Sequence, residues 1–331
     1  MKILVTGATG FVGSVLMPEL VRRYGAGAVD AFVLTGEAVP STWRGAGVRT
    51  FDGDIADAAA VTAAVRGHGH VVHLAGFISY WKGDEDRLKA ANEDGVRSVV
   101  EASLAAGVER LIHISSVGAV GYYRDGTPAG ETKPYNWPDD ILYMASKRRG
   151  QDIVERAIRE RGLRAVILNP ASIMGPGDRN PATPHNGLYK RICRQAQIGS
   201  FAGGLAIVDV RDLVAIILKA LEGRGRDGES YLVVGANLPY SEVVKLISRA
   251  CGRKSYPFPV PAPLLTAAGK ILERAARRSG RRPLLTAAYG RLSGWTAYYD
   301  STKSRQEFDH TYIDADKTIE DGWVYYRETF L

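Results

Sequence analysis

Apolar positions in the first half of the chain follow two alternating patterns. Short unbroken runs occupy residues 2–6, 31–34, 70–74, 110–114 and 164–168. Runs of this length without alternation predict strands covered on both faces. Between them, apolar residues at helical spacing predict helices over 12–24, 58–66, 85–106 and 141–161. Strands alternating with helices require crossover connections. The expected fold class is therefore α/β, a doubly wound parallel sheet with helices on both faces.

The pattern changes after Pro170. Breakers and polar residues crowd 174–187, which predicts a loop. Helical spacing returns at 209–222 and 240–251, with one more strand over 230–234. Four prolines between Pro257 and Pro263 predict a linker or turn, and the remainder reads as helical and irregular. This divides the chain into a larger domain (1–169 with 205–235) and a smaller, mostly helical one (170–204 with 236–331).

The hydrophobic share of 45% and charged share of 24% are those of an ordinary globular protein. No window reaches the length of a membrane span, and no secretory leader is expected. Cys193 and Cys251 lie outside any CxxC pair, so no disulfide framework is expected and the cytoplasm is the expected location. The net charge is +7, and six basic residues against one acid fall between Lys270 and Arg282. That segment is either a solvated helix face or a weak contact with a membrane surface. No motif supports nucleic-acid binding.

Three features carry candidate chemistry. Gly7, Thr9, Gly10, Phe11, Val12 and Gly13 follow the first strand and open the first helix. Gly7 suits a tight turn, Gly10 close approach of a pyrophosphate, and Gly13 close packing of helix on strand; the helix N-terminus then offers its N–H groups to phosphate. Tyr143 and Lys147 are spaced i, i+4 on one helix face. An ammonium about 4 Å from a phenol supplies roughly the 4 kcal/mol needed to bring its pKa near neutrality. Ser115 and Ser116 end the strand over 110–114, where ligands of such sheets gather.

In this order the features resemble the extended short-chain dehydrogenase/reductase family, which includes the nucleotide-sugar epimerases and dehydratases. Further stretches are similar to family motifs: Gly53-Asp54-Ile55, His73-Leu74-Ala75-Gly76, Asn92 with Gly95, Asn169 to Asp178, and Val208 to Asp212. The resemblance implies a Rossmann domain, an NAD or NADP cofactor and a small-molecule substrate; the expected assembly is a homodimer, with no metal. It implies Tyr143 as general acid/base, Lys147 as the group that lowers its pKa and holds the ribose, and Ser116 as the group orienting the substrate oxygen. Thr35, Asp54, Ile55, Leu74, Ala75, Gly76, Asn92, Ser115, Pro170, Ser172 and Ile173 would complete the cofactor site. Cofactor choice leans to NADP, because Thr35 at the end of the second strand does not repel a 2′-phosphate. Glu37 lies just beyond it, and Arg44 is within reach of a folded-back loop.

Phe77, Tyr80, Trp81, Tyr122 and Trp137 flank these motifs and are candidate substrate residues. Pockets built of aromatics select apolar ligands. The chain looks most like the dihydroflavonol-reductase and 3β-hydroxysteroid-dehydrogenase branch, which implies a lipophilic ketone or secondary alcohol. A nucleotide-sugar epimerase is the alternative. Dehydration is disfavoured because Ser115-Ser116-Val117 stands where dehydratases carry Thr-Asp-Glu, and epimerases often have Asn at the position of Ser172. A catalytically dead regulator is the third reading, opposed by the retained Tyr and Lys.

Overall fold

A computed structural model describes residues 1–181, 183–194 and 197–331. Ala182, inside the expected loop, lies outside the described residues, as do Gln195 and Ala196. The elements are β1 (Ile3–Thr6), α1 (Phe11–Tyr24), β2 (Val29–Val33), α2 (Ser41–Ala46), β3 (Arg49–Asp52), α3 (Ala58–Val65), β4 (His70–His73), α4 (Glu85–Lys89), α5 (Gly95–Ala106), β5 (Arg110–Ile114), α6 (Leu142–Arg161), β6 (Ala165–Pro170) and β7 (Ser172–Met174). They continue with α7 (Pro184–Arg194), β8 (Gln197–Phe201), β9 (Gly204–Asp209), α8 (Val210–Leu221), β10 (Ser230–Val233), β11 (Ala236–Pro239), α9 (Tyr240–Ala250), β12 (Ser255–Val260), α10 (Ala262–Ser279), α11 (Ala287–Leu292), α12 (Thr302–Glu307) and α13 (Ala315–Phe330).

Seven strands form one sheet in the order β10-β6-β5-β4-β1-β2-β3, parallel throughout. Burial explains the unbroken apolar runs. Ile3, Leu4 and Val5 have no exposed surface, because one face of β1 packs under α1 and α8 and the other under α3 and α5. The strands all point one way, so their carboxyl ends share one edge. The chain order reverses between β1 and β4, leaving a crevice there. A smaller sheet, β11-β9-β7, carries the chain away from this edge, and α7, α9 and α13 pack against it.

The structure departs from the sequence reading in four places. The helix expected over 85–106 is broken by a π-helical turn at Ala90–Asp94. The loop expected over 174–187 yields to α7 at Pro184; a helix start can lose a proline's N–H at no cost. The proline-rich stretch is in fact strand β12, paired in parallel with β8. Prolines are tolerated there because β12 has a neighbour on one side only and a register shift lies between Tyr256 and Pro259. Finally, Cys193 at the end of α7 and Cys251 at the end of α9 are joined as a disulfide across 58 residues. Spacing in sequence gave no hint of this pairing, which tertiary packing alone creates.

Candidate active site

The β1–α1 turn sits at the crevice. Gly7 has φ +66°, and a Cβ there would lie 2.7 Å from the backbone nitrogen of Ala75. A Cβ on Gly13 would lie 2.3 Å from the carbonyl oxygen of Ala8. The turn is tied to the end of β4 through Thr6, whose Oγ1 shares a hydrogen bond with His73 Nδ1 (2.7 Å) and accepts from the Ala75 N–H (3.3 Å). Burial holds the His73 pKa down to about 3, so this imidazole stays neutral. The first turn of α1 has neither a side-chain cap nor an acidic residue, which leaves its N–H groups and positive dipole end to a ligand. A cradle that a single Cβ would fill, below an uncapped helix start, fits a dinucleotide pyrophosphate. Gly13→Ala is expected to lower stability by about 1–3 kcal/mol, because the colliding oxygen is backbone, and to weaken cofactor binding. Thermal melts and cofactor titration check this; an unchanged Tm and Kd would mean the packing is not as described.

At the end of β2, Thr35 is exposed. Glu37 turns back so that its carboxylate accepts a hydrogen bond from Thr9 of the glycine turn. Asp54 follows β3 and accepts from the Ala56 N–H (2.9 Å). Ile55 is buried against Gly95. Leu74, Ala75 and Gly76 continue from β4 along the crevice. Pro170 ends β6, while Ser172 and Ile173 lie on β7. Asn92, on the π turn, accepts from the Phe77 N–H and donates to the Phe77 carbonyl (both 2.9 Å) and to Ser146 Oγ (3.0 Å). Both amide hydrogens are spent. Asn92 thereby staples the 74–77 segment to α6.

Tyr143, Lys147 and Gln151 fall on one face of α6, at successive i+4 positions. Ser115 donates to Gln151 Oε1 (2.7 Å), which also receives Asn169 Nδ2 (2.7 Å). The Ser115 hydroxyl is thus committed to structure. Ser116 Oγ accepts from the Gly118 N–H (3.0 Å) and acts on the Tyr143 phenol, pulling its pKa down. Burial is the larger influence and leaves Tyr143 above its ordinary value. Lys147 is buried and donates to the Ile114 carbonyl (3.1 Å), and burial lowers its pKa to about 8. Burial governs both groups, and the depression of Tyr143 by Lys147 expected from their spacing is not seen. The phenol rests protonated.

The aromatics divide. Tyr80 meets the Tyr143 ring edge-on (centroids 5.7 Å apart) and packs against Tyr289 of α11 (5.2 Å). Tyr289 meets Phe201, which meets Tyr240. Phe77 is covered by the guanidinium groups of Arg87 and Arg282. Trp81 lines a separate cleft with Glu273 and Arg277. Tyr122 and Trp137 are buried and stacked on each other, Trp295 stacks on Tyr122 and tilts against Trp137, and the Trp137 indole donates to the Val120 carbonyl. They form core, which corrects their assignment to the substrate pocket. Phe201, Tyr240 and Tyr289 were not anticipated: nothing local in the sequence marks them. Gln151 was open to detection as the next turn after Lys147.

The profile of the "NAD dependent epimerase/dehydratase family" matches residues 3–234. The chain belongs to that family. Over nearly its whole length (99% of each chain) it is 28% identical to "Sterol demethylase protein B" of Methylococcus capsulatus. It is also 28% identical to a "Putative dihydroflavonol 4-reductase" of Synechocystis, over 92% of this chain and 88% of that one. The crystal structure of gox2253 superposes with a TM-score of 0.82 at 30% identity, covering 99% of this chain and 98% of that one. This epimerase/dehydratase-family protein is thus an NAD-dependent enzyme of the short-chain dehydrogenase/reductase type, and its seven-stranded sheet and uncapped β1–α1 turn are the features that suit it to the cofactor.

Proposed function

We propose that this enzyme interconverts a lipophilic ketone and its secondary alcohol, with Tyr143 exchanging the proton on the substrate oxygen. The observation that carries the reading is the aromatic wall: Tyr80 stands on Tyr143 and is backed by Tyr289 and Phe201. Such a surface favours apolar ligands and offers little to a sugar diphosphate. The names of the sterol-acting and dihydroflavonol-reducing relatives agree with it.

When bound, the nicotinamide supplies or accepts the hydride. The chain's own residues handle the proton. A phenol kept above its ordinary pKa is protonated at neutral pH and ready to donate, which suits carbonyl reduction. Ser116, fixed by the Gly118 N–H, orients the carbonyl oxygen toward that phenol. Lys147 lies one helical turn on, below the Gly76 edge of the crevice, where its ammonium would meet the ribose hydroxyls. The test is a panel of apolar ketones assayed with NADH and of nucleotide sugars assayed with NAD+. Conversion of the sugars alone would overturn the proposal in favour of an epimerase.

The same reading extends to the cofactor. Thr35 alone leaves a 2′-phosphate unopposed, which is the sequence's argument for NADP. Glu37, drawn onto Thr9, supplies the acid near the second-strand end that bonds a ribose 2′-hydroxyl and opposes a phosphate. The proposed cofactor is therefore NAD(H). Glu37→Gln is expected to raise NADP(H) affinity relative to NAD(H) by about ten- to a hundredfold, read from dissociation constants for both. A parent enzyme that already prefers NADP(H) would remove Glu37 from the ribose site.

A further inference from the structure

We propose that the outer face of α10, together with the exposed strand β12 before it, docks this enzyme on an anionic bilayer surface. Exposed apolar side chains concentrate there: of the twelve large ones among the described residues, six fall between Tyr256 and Leu284. On α10, Leu264 and Ile271 are spaced i, i+7 on one face and are 63% and 64% exposed, with Ala267 and Ala275 beside them. The opposite side of the helix is closed: a Cβ on Gly269 would lie 2.5 Å from the backbone of Ala287, so α11 already packs hard against it. On β12, Tyr256 and Phe258 are 55% and 67% exposed. Ile198, the cross-strand neighbour of Tyr256, is 74% exposed.

Charge selects the occupant. Lys270, Arg274 and Arg278 flank the apolar stripe on α10, and none of them makes an ion pair among the described residues, whereas Arg282 is bound to Asp84. A second copy placed face to face on this stripe would set these cations against their own kind. An anionic headgroup layer complements them while the stripe enters the acyl boundary, the arrangement of an interfacial amphipathic helix. No helix among the described residues is long and apolar enough to cross a membrane, so the helix lies on the surface. α10 and α11 form one packed hairpin. Its outer side carries the stripe and its inner side delivers Tyr289 to Tyr80 beside Tyr143. If the lipophilic-substrate reading above holds, this places the site next to the phase in which such a substrate dissolves.

The experiment is co-sedimentation of the full chain with vesicles of phosphatidylcholine plus phosphatidylglycerol, and of phosphatidylcholine alone, at low and high salt. The intact protein is expected to bind the anionic vesicles at least about tenfold more tightly than the neutral ones, with the difference shrinking as salt rises. Two double variants, Leu264→Glu with Ile271→Glu and Arg274→Glu with Arg278→Glu, are expected to lose at least about tenfold in that binding. NADH-dependent turnover of a water-soluble ketone, assayed without vesicles, should stay within about twofold of the parent in both variants, since neither pair touches the site. Equal binding to both vesicle types, or vesicle binding unchanged in the variants, overturns the proposal. So does a parent dimer that either pair converts to monomer without affecting vesicle binding, because a second copy then covers the face. Vesicle binding is read without substrate, so it stands or falls separately from the reaction assigned.

Discussion

Replacing Tyr143 by Phe is expected to cut ketone reduction by about 10²–10⁴-fold while leaving NADH affinity within about twofold. The ring keeps its edge-on contact with Tyr80, so packing is preserved and only the hydroxyl is removed. The loss should appear in kcat with little change in KM, since the phenol gives up its proton only as charge develops on the substrate oxygen. Ser116 cannot substitute for it: the hydroxyl is fixed by the Gly118 N–H and has no low-pKa proton to give. Steady-state kinetics with a parallel cofactor titration decide the matter. A variant that kept more than about a tenth of parental turnover would remove Tyr143 from the proton path.

The second large effect is expected at Lys147. Its ammonium is anchored on the Ile114 carbonyl beside the crevice, and its pKa is lowered by burial to about 8. Below that pH the group is cationic; above it the group is neutral and no longer offers a charge to a ribose hydroxyl or to the developing oxyanion. Reduction by the parent enzyme should therefore be level below pH 8 and fall as pH rises through about 8. Lys147→Met is expected to lose about 10²-fold or more in kcat/KM, weaken cofactor binding and flatten that alkaline limb. Neutral Met also relieves the cost of a buried charge, so the variant should fold at least as well as the parent. A pH–rate profile for each protein is the check. An alkaline limb that survives in the Met variant would assign it to another group.

Much of this site was legible in the sequence because its parts are local. The glycine turn is a strand–turn–helix unit within a dozen residues, and Tyr143 and Lys147 share a helix face by spacing alone. What was not legible depends on contacts between distant segments. Tyr289 reaches Tyr80 across more than two hundred residues, through the α10–α11 hairpin. Tyr122 and Trp137 looked like pocket residues because composition cannot tell a stacked core from a lined cavity; Trp295, far downstream, makes them core. The prolines of β12 read as breakers, since only its place beside β8 shows that strand pairing tolerates them. The electrostatics of the pair depend on distant contacts too: i, i+4 spacing puts Lys147 near the Tyr143 phenol, but burial by the surrounding elements is what governs the titration of both groups.

Net hydride transfer to an apolar carbonyl, with Tyr143 supplying the proton, is the proposed reaction. The most direct test incubates NADH deuterated at the transferable position of nicotinamide C4 with an apolar ketone and, separately, NAD+ with UDP-glucose. Product is followed by NMR and cofactor oxidation by absorbance. One deuterium on the carbinol carbon is expected for each NADH oxidised, with loss of both signals in Tyr143→Phe and no conversion of the nucleotide sugar. Epimerised nucleotide sugar with no net change in the cofactor, and no deuterated alcohol from any ketone, would contradict the proposed reaction.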